Sequence, residues 1–487
     1  MFSKKSICTL YILLILISIF SCKKLVEVDP PGTQITSNNV YNNDATAIAV
    51  MNGLYSKLSS TGFVGGSPLI SNISLWAGLS ADEFILWSGT TITALLYYQN
   101  ALNASAHGSE FWMSTYPLIY VCNAAIEGLQ KSSSLNSTVK QQLLGEAKFM
   151  RAYFYFYLVN LYGDVPLALT TDYTVNSLLS RYAKSAVYDQ IRSDLSDAKD
   201  LLANGYVKND AVTLYPTASA ERVRPSKAAA SALLSRVELY NNNWANAESE
   251  ATAVISNTSL YDTVPLNNVF LKNSKEAIWQ LQPVLSEITN TQEGFFFNLT
   301  IAPIGVNDFH SVHLSQSVLN SFEAGDKRKV NGNWINVFTD GSGTYYYPYK
   351  YKVGSIGAPV TEYPMFLRLG ELYLIRSEAK ARQNNLPGAI ADLDVIRKRA
   401  GLPLIANSIP GISQTALLNA ILHERQVELF SESGHRWLDL KRTGNVDAVM
   451  ATATSLKGGT WQSYQQLYPV PVDDLLKNPN LTQNAGY

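Results

Sequence analysis

The chain has 487 residues, enough for one large domain or for two to four smaller ones. Hydrophobic residues make up 46% and charged residues 16%, which excludes a disordered chain, because disorder requires low hydrophobicity and high charge. The 38 basic and 39 acidic residues leave a formal net charge of −1, so we expect no nucleic-acid partner.

The N-terminus has the pattern of an exported lipoprotein. Lys4 and Lys5 precede an apolar run, residues 7–20, that is shorter than the about 20 apolar residues needed to span a bilayer, so residues 1–21 are predicted to be a signal peptide. Residues 19–22, where this run ends, read Ile-Phe-Ser-Cys and resemble the bacterial lipobox. We therefore expect lipidation at Cys22. The alternative is an ordinary signal peptide followed by a chance cysteine. Residues 22–33 are predicted to form a polar, proline-containing tether.

Helical periodicity dominates the next part of the chain. It predicts helices that begin at about Asn43 or Asp44 and that cover about 109–130, 137–162 and 184–203. The helix over 137–162 is apolar on nearly every side, which is typical of a fully buried helix, and it should end at Gly163. We assign its four tyrosines to the core: Tyr153, Tyr155, Tyr157 and Tyr162. Cys122, in a second apolar helical pattern, is expected to be buried and inert.

Two later segments share one spacing of small and apolar residues. Ser235, Trp244, Ala247 and Val254 have the same offsets as Ser377, Leu386, Ala389 and Ile396. Small residues at these points allow two antiparallel helices to pack closely, as in tetratricopeptide-type pairs. Two unrelated helical hairpins are the alternative.

Two long segments, 60–108 and 257–365, lack sustained helical periodicity and are rich in Gly, Asn, Ser, Thr and aromatic residues. Within the second, residues 344–353 (TYYYPYKYKV) are compatible with a strand interrupted at Pro348. We therefore predict an irregular, loop-rich lobe on a helical scaffold.

No sequence motif supports a catalytic or metal site. Asp82-Glu83 or Glu424 with Glu428 could be imagined as the acid and base of a glycosidase, but that chemistry needs carboxyl groups facing each other across a cleft. The second pair lies one turn apart on one helix, interleaved with basic residues, which favours a structural ion-pair network instead. The members of this predicted network are Glu424, Arg425, Glu428, Glu432, Arg436 and Asp439. His310 and His313 lack further ligands, so we expect no catalytic residue, metal or cofactor.

Four segments together resemble the signature regions of the SusD/RagB family: residues 145–167, 368–382, 424–444 and 467–487. The resemblance implies an all-α fold with tetratricopeptide-like helical pairs and an irregular loop-rich face. It also implies a non-enzymatic lipoprotein on the outer surface of the outer membrane. Such a protein binds an oligosaccharide, or in some members a peptide, and delivers it to a SusC-like TonB-dependent barrel. On this basis residues 34–256 and 257–487 form the N- and C-terminal parts of one compact domain.

Aromatic side chains in the irregular segments are the candidate ligand contacts, because sugars stack their C–H faces on aromatic rings. The candidates are Trp87, Tyr97, Tyr98 and Asn100 in the first segment and Phe296, Trp334 and Tyr346 in the second. Each of them could instead be a core residue, since Trp and Tyr are highly buried on average. A secreted glycoside hydrolase and a scaffold without a small ligand are the competing functions.

Overall fold

A computed structural model describes residues 40–60, 71–87, 91–105, 108–284, 290–304 and 310–487. The predicted signal peptide, the tether and Cys22 lie outside the described residues.

Helices dominate the described N-terminal part. They are α1 (Asp44–Ser60), α2 (Ser71–Ser80), α3 (Ile92–Tyr98), α4 (Glu110–Lys131), α5 (Ser137–Tyr162), α6 (Tyr173–Asn176), α7 (Lys184–Leu201), α8 (Lys227–Tyr240) and α9 (Trp244–Ile255). The strands of this part are β1 (Phe84–Leu86), β2 (Val165–Pro166) and β3 (Arg181–Tyr182). The first irregular segment therefore holds two helices, α2 and α3, that the sequence did not predict, because short buried helices show no periodicity.

The C-terminal part mixes short strands with helices. Its strands are β4 (Ala277–Gln280), β5 (Val312–Leu314), β6 (Ile335–Asp340), β7 (Gly343–Pro348) and β8 (Met365–Arg368). Its helices are α10 (Gln292–Phe297), α11 (Gln316–Ser321), α12 (Leu369–Arg382), α13 (Leu386–Ala400), α14 (Ile405–Ser408), α15 (Gln414–Glu428), α16 (His435–Arg442), α17 (Val446–Leu456) and α18 (Val472–Lys477). The described strands pair only two at a time, all antiparallel: β1 with β5, β2 with β3, β4 with β8, and β6 with β7. An all-α fold with an irregular lobe is confirmed.

Helix α5 passes through the core of the protein. The Asn136 side chain accepts a hydrogen bond from the Thr138 N–H at its start, and Gly163 adopts a positive φ of 77° at its end. From Phe149 to Tyr162 every side chain is buried, and all four of its tyrosines lie in the core as predicted. Cys122 of α4 is also fully buried, and burial raises the pKa of its thiol well above the usual range.

The two predicted helical pairs are α8–α9 and α12–α13, and they pack against each other through α9 and α12. Ser235, Ala247, Ser377 and Ala389 are completely buried in these hairpins. The Ser377 hydroxyl donates to the Ala389 carbonyl at 2.7 Å, so the small residue also joins the two helices directly. None of the described helices is both long and apolar enough to cross a membrane.

Candidate functional site

Strands β1 and β5 form a small ribbon whose two faces differ. Alternation places Phe84 and Leu86 in the core, whereas Ile85 and Trp87 point outwards and are each 36% exposed. Ile85 stands opposite His313 in the antiparallel register, so His313 shares the outer face. The Trp87 N–H donates to the Ser311 carbonyl at 2.8 Å, which extends the ribbon to the tryptophan.

The β6–β7 hairpin places two further aromatic residues, Phe338 and Tyr345, next to this ribbon. At its turn, the Asp340 carboxylate accepts a hydrogen bond from the Ser342 N–H at 2.8 Å. Tyr345 stands opposite Phe338, so both lie on one face of the hairpin. The Tyr345 ring contacts Trp87 edge to face, with centroids 6.4 Å apart, and lies 5.4 Å from the His313 ring. We call Trp87, His313, Phe338 and Tyr345 the aromatic face.

The aromatic face carries no formal charge. Burial lowers the pKa of His313 below its ordinary value, so this imidazole is neutral at pH 7. The Tyr345 hydroxyl lies 3.1 Å from the Ser342 hydroxyl, a local contact that fixes the phenol ring. Trp87 is the exposed ring of this face, His313 and Phe338 are half-buried, and Tyr345 is buried. An exposed ring that is held in place by its neighbours suits the apolar C–H face of an uncharged sugar.

A cluster of buried charges lies behind the hairpin. Lys350, two residues after β7, donates to the carbonyls of Glu428 and Phe430 at 2.8 Å each and pairs with the Glu432 carboxylate. Burial lowers the pKa of Lys350 to about 8. Because the lysine is held by three groups of the C-terminal part, the end of the hairpin is fixed to the core.

Arg368 is the centre of this cluster. Its guanidinium donates to Glu432 at 2.7 and 2.9 Å, to the Glu428 carboxylate at 2.7 Å and to Glu276 at 3.0 Å. Burial alone would raise the pKa of Glu428, but nearby guanidiniums, Arg368 among them, outweigh it and hold that pKa well below the usual range. We call Glu276, Arg328, Lys350, Arg368, Arg399, Glu424, Glu428 and Glu432 the charged core.

All six residues of the predicted network form buried ion pairs, although in separate groups. Glu424, Glu428 and Glu432 belong to the charged core. Arg425 pairs with Asp439 at 2.8 Å in a second group. Arg436 pairs with Asp82 at 2.7 Å in a third. The sequence pattern identified the acidic and basic members on α15, on α16 and in the segment between them, but most of their partners come from distant segments.

The structure contradicts the surface placement of Tyr97, Asn100 and Trp334. Tyr97 is fully buried and donates to Glu110 at 2.7 Å, and Asn100 donates to the Ser80 carbonyl at 2.9 Å. Trp334 is fully buried, with the Lys350 ammonium 4.7 Å from its ring centroid. These side chains complete the core and the charged core, so no ligand reaches them in this conformation.

Tyr98 is also corrected to a nearly buried residue, with the Lys457 ammonium 5.1 Å from its ring centroid. Phe296 is half-buried, with its ring 6.3 Å from that of Phe295. Tyr346 is 37% exposed, but alternation along β7 turns it away from Tyr345 and hence from Trp87. Of the seven candidates, Trp87 alone belongs to the aromatic face.

Sequence reasoning missed His313, Phe338 and Tyr345. A signal for Tyr345 was present, because three consecutive tyrosines in a strand must alternate between two faces. Choosing between Tyr345 and Tyr346 required knowing which face meets β5, and the sequence does not contain that information.

Asp82 and Glu83 are buried beside the start of β1. The Asp82 carboxylate is held by Arg436 and also accepts a hydrogen bond from Ser317 at 2.8 Å. Glu83 accepts the Ser431 N–H at 3.0 Å, and burial raises its pKa to about 7. This pair therefore braces β1 from the inside and does not line a cleft. Across the described ranges, no three His, Cys, Asp or Glu side chains converge as a metal site would require.

Comparison with known proteins gives two matching family models. Residues 315–487 match the model described as the SusD family, and residues 80–239 match one described as starch-binding associating with outer membrane. A SusD-like protein of Formosa agariphila is 25% identical over 522 aligned residues, which cover 98% of each chain.

Solved structures share the fold. A SusD superfamily protein from Parabacteroides distasonis superposes with a TM-score of 0.74 at 23% identity, covering 93% of this chain and 100% of the other. A surface glycan-binding protein A from Bacteroides fluxus superposes with a TM-score of 0.73 at 20% identity, covering 91% of this chain and 99% of the other.

Proposed function

Because the chain belongs to the SusD family, we propose that it captures a neutral oligosaccharide at the cell surface without chemically changing it. In this proposal the ligand rests on the aromatic face and is then passed to a SusC-like TonB-dependent transporter. The protein is held at the outer membrane by lipid attached to Cys22.

The observation that carries the proposal is the aromatic face itself. Trp87 is exposed, its ring is positioned by Tyr345, and the neighbouring His313 is neutral. An anionic or cationic ligand would find no opposite charge within this face, whereas a sugar would find the exposed, flat ring of Trp87.

The family description supports a glycan over a peptide. One of the two matching models is described as starch-binding, and one protein of the same fold is named for glycan binding at a surface. A peptide remains the alternative ligand class, and it would require the same capture and transport roles.

Titration calorimetry with a panel of neutral oligosaccharides and peptides tests the proposal. Trp87→Ala should weaken glycan binding at least about tenfold, since an exposed ring that anchors a ligand contributes roughly 1.4 kcal/mol or more. Tyr346→Ala is the matched comparison, because Tyr346 is equally exposed but lies on the other face of the hairpin.

Four results would contradict the proposal in different ways. Loss of binding in Tyr346→Ala but not in Trp87→Ala would move the site to the opposite face. Binding of peptides alone would overturn the glycan assignment and leave the import role. New reducing ends after incubation with the bound glycan would show hydrolysis, and failure to co-purify with a TonB-dependent barrel would remove the transport step.

A further inference from the structure

A cleft of about 560 Å³ lies apart from the aromatic face, and no residue of the aromatic face lines it. It is bounded by α1, by the turn over residues 206–215 and by the segment that follows β4. We call it the Tyr215 cleft. Its volume falls in the range of about 300–1,000 Å³ that is typical of small-molecule sites.

Hydrogen bonds between side chains hold one wall of the Tyr215 cleft in place. Arg224, only 5% exposed, donates to the Glu146 carboxylate at 2.7 Å and also to the side chain of Asn52. The Tyr55 hydroxyl donates to the same Glu146 carboxylate at 2.9 Å. These bonds balance the charge of the arginine and hold the Tyr55 ring at the wall of the cleft.

The opposite wall is a short hairpin. The Tyr215 N–H donates to the Tyr206 carbonyl at 2.8 Å, and the Lys208 N–H donates to the Thr213 carbonyl at 2.7 Å. This pairing sets two side chains next to each other, with the Lys208 ammonium 5.8 Å from the centroid of the Tyr215 ring.

Four polar groups in the cleft are unused. The Lys208 ammonium, the Glu221 carboxylate and the hydroxyls of Tyr215 and Tyr363 make no hydrogen bond or ion pair with any other residue that the structure describes. All four line the same cleft. Burial, followed by the proximity of Glu221 and Tyr215, raises the pKa of Tyr363 to about 12. Such groups are available to bind a ligand in place of water.

The charges and hydrogen-bonding capacity of the four groups favour an uncharged ligand that carries hydroxyl groups. The cleft is neutral overall, because Lys208 offsets Glu221 and Arg224 is paired with Glu146. A carboxylate and an ammonium that are both free can be satisfied together by hydroxyl groups, which donate to one and accept from the other. The tyrosine rings supply faces for C–H groups. An anionic ligand would meet Glu221, and a cationic one would meet Lys208.

We propose that the Tyr215 cleft is a second carbohydrate site, which binds a neutral oligosaccharide independently of the aromatic face. The inference rests on the function proposed above, since it extends glycan capture from one site to two. Two sites on one chain would also strengthen the retention of a long polysaccharide that reaches both.

Calorimetric stoichiometry tests the second site. The probes are neutral hexasaccharides from α-glucan, β-glucan, xylan and mannan, and the best binder is titrated into four proteins. The wild type should bind two ligands per chain, whereas Tyr215→Ala/Glu221→Gln and Trp87→Ala should each bind one. The variant that combines all three substitutions should lose binding at least tenfold at both sites.

Controls separate folding from binding. Lys208→Met removes one free group from a partly exposed side chain and should weaken only the second site. Tyr173→Ala, at a tyrosine that is 79% exposed and outside both sites, should bind as the wild type does. Thermal melts of every variant must match the wild type before titrations are compared.

The outcomes distinguish the two proposals. One ligand per chain, abolished by Trp87→Ala and unaffected by Tyr215→Ala/Glu221→Gln and by Lys208→Met, would overturn the second site and leave the proposed function standing. No binding by any hexasaccharide would refute both. Occupation of the Tyr215 cleft by a peptide or an acidic oligosaccharide alone would refute the ligand class argued here.

Discussion

Replacing Arg368 by methionine is expected to destabilise the protein strongly, because this residue is the centre of the charged core. The side chain is 2% exposed and makes five hydrogen bonds, to Glu276, to both carboxylate oxygens of Glu432, and to the side chain and carbonyl of Glu428. Methionine fills similar space but donates none of them. The charged core would then hold one acidic group more than its basic groups can balance.

The size of the effect follows from this imbalance. Removing one partner of a buried ion pair costs about 3–5 kcal/mol, because a charge is left without its partner away from water. Lys350, Arg328 and Arg399 still contact the orphaned carboxylates, which keeps the loss within that range. With an unfolding entropy of about 2.1 cal/mol/K per residue, the 487-residue chain has about 1 kcal/mol/K, so Tm should fall by about 3–5 °C.

Differential scanning calorimetry measures this shift. Arg382→Met is the matched control, since Arg382 is an exposed arginine at the other end of α12 and should change Tm by less than about 1 °C. Adding Glu432→Gln to Arg368→Met restores the charge balance, so the double variant should melt higher than additivity predicts. A fall of less than about 1 °C in Arg368→Met, or strict additivity in the double variant, would refute the reasoning.

Three further predictions concern other parts of the chain. Burial raises the pKa of Glu293 to about 7, and one of its carboxylate oxygens has no hydrogen-bond partner among the residues that the structure describes. The folded state therefore holds a proton that the unfolded state releases above about pH 4.5, so the free energy of unfolding falls as the pH rises towards 7. Glu293→Gln should therefore raise unfolding free energy by about 1–3 kcal/mol at pH 8 and leave it unchanged at pH 4, as denaturant titrations at both values would show. Gly370→Ala should cost about 1–3 kcal/mol in the same assay, because the new methyl would press on Arg368 and lie 2.8 Å from Glu276. Cys22→Ser should release the protein from washed membranes of a host without the transporter, and retention of that variant on an immunoblot would contradict the lipid anchor.

Much of the helical scaffold was predictable from sequence. The span 137–162 coincides with α5, because Asn136 and Gly163 mark its ends and apolar residues cover its surface. The shared offsets around Ser235 and Ser377 indicated two hairpins, and both are present. Local signals suffice where a helix carries its own caps and its own packing face.

The candidate site was less predictable, because exposure of an aromatic residue is a property of the whole fold. Trp87 and Trp334 both lie in irregular segments, yet one is exposed and the other is enclosed by Lys350 and Arg368. The cations that enclose Trp334 come from after β7 and from the end of β8. The sequence around Trp334 therefore contains no pattern from which its burial between Lys350 and Arg368 could be predicted.

The burial of charge in this protein bears on the medium in which it acts. Dissolved ions screen exposed charges beyond about 10 Å at 0.1 M salt, but they weaken buried pairs such as Arg368 with Glu428 far less. The aromatic face has no charge to screen. Salinity should therefore change neither the cohesion of the core nor the capture of a sugar on the aromatic face. A protein that works outside the cell, as proposed, would then perform alike in dilute and in salty surroundings.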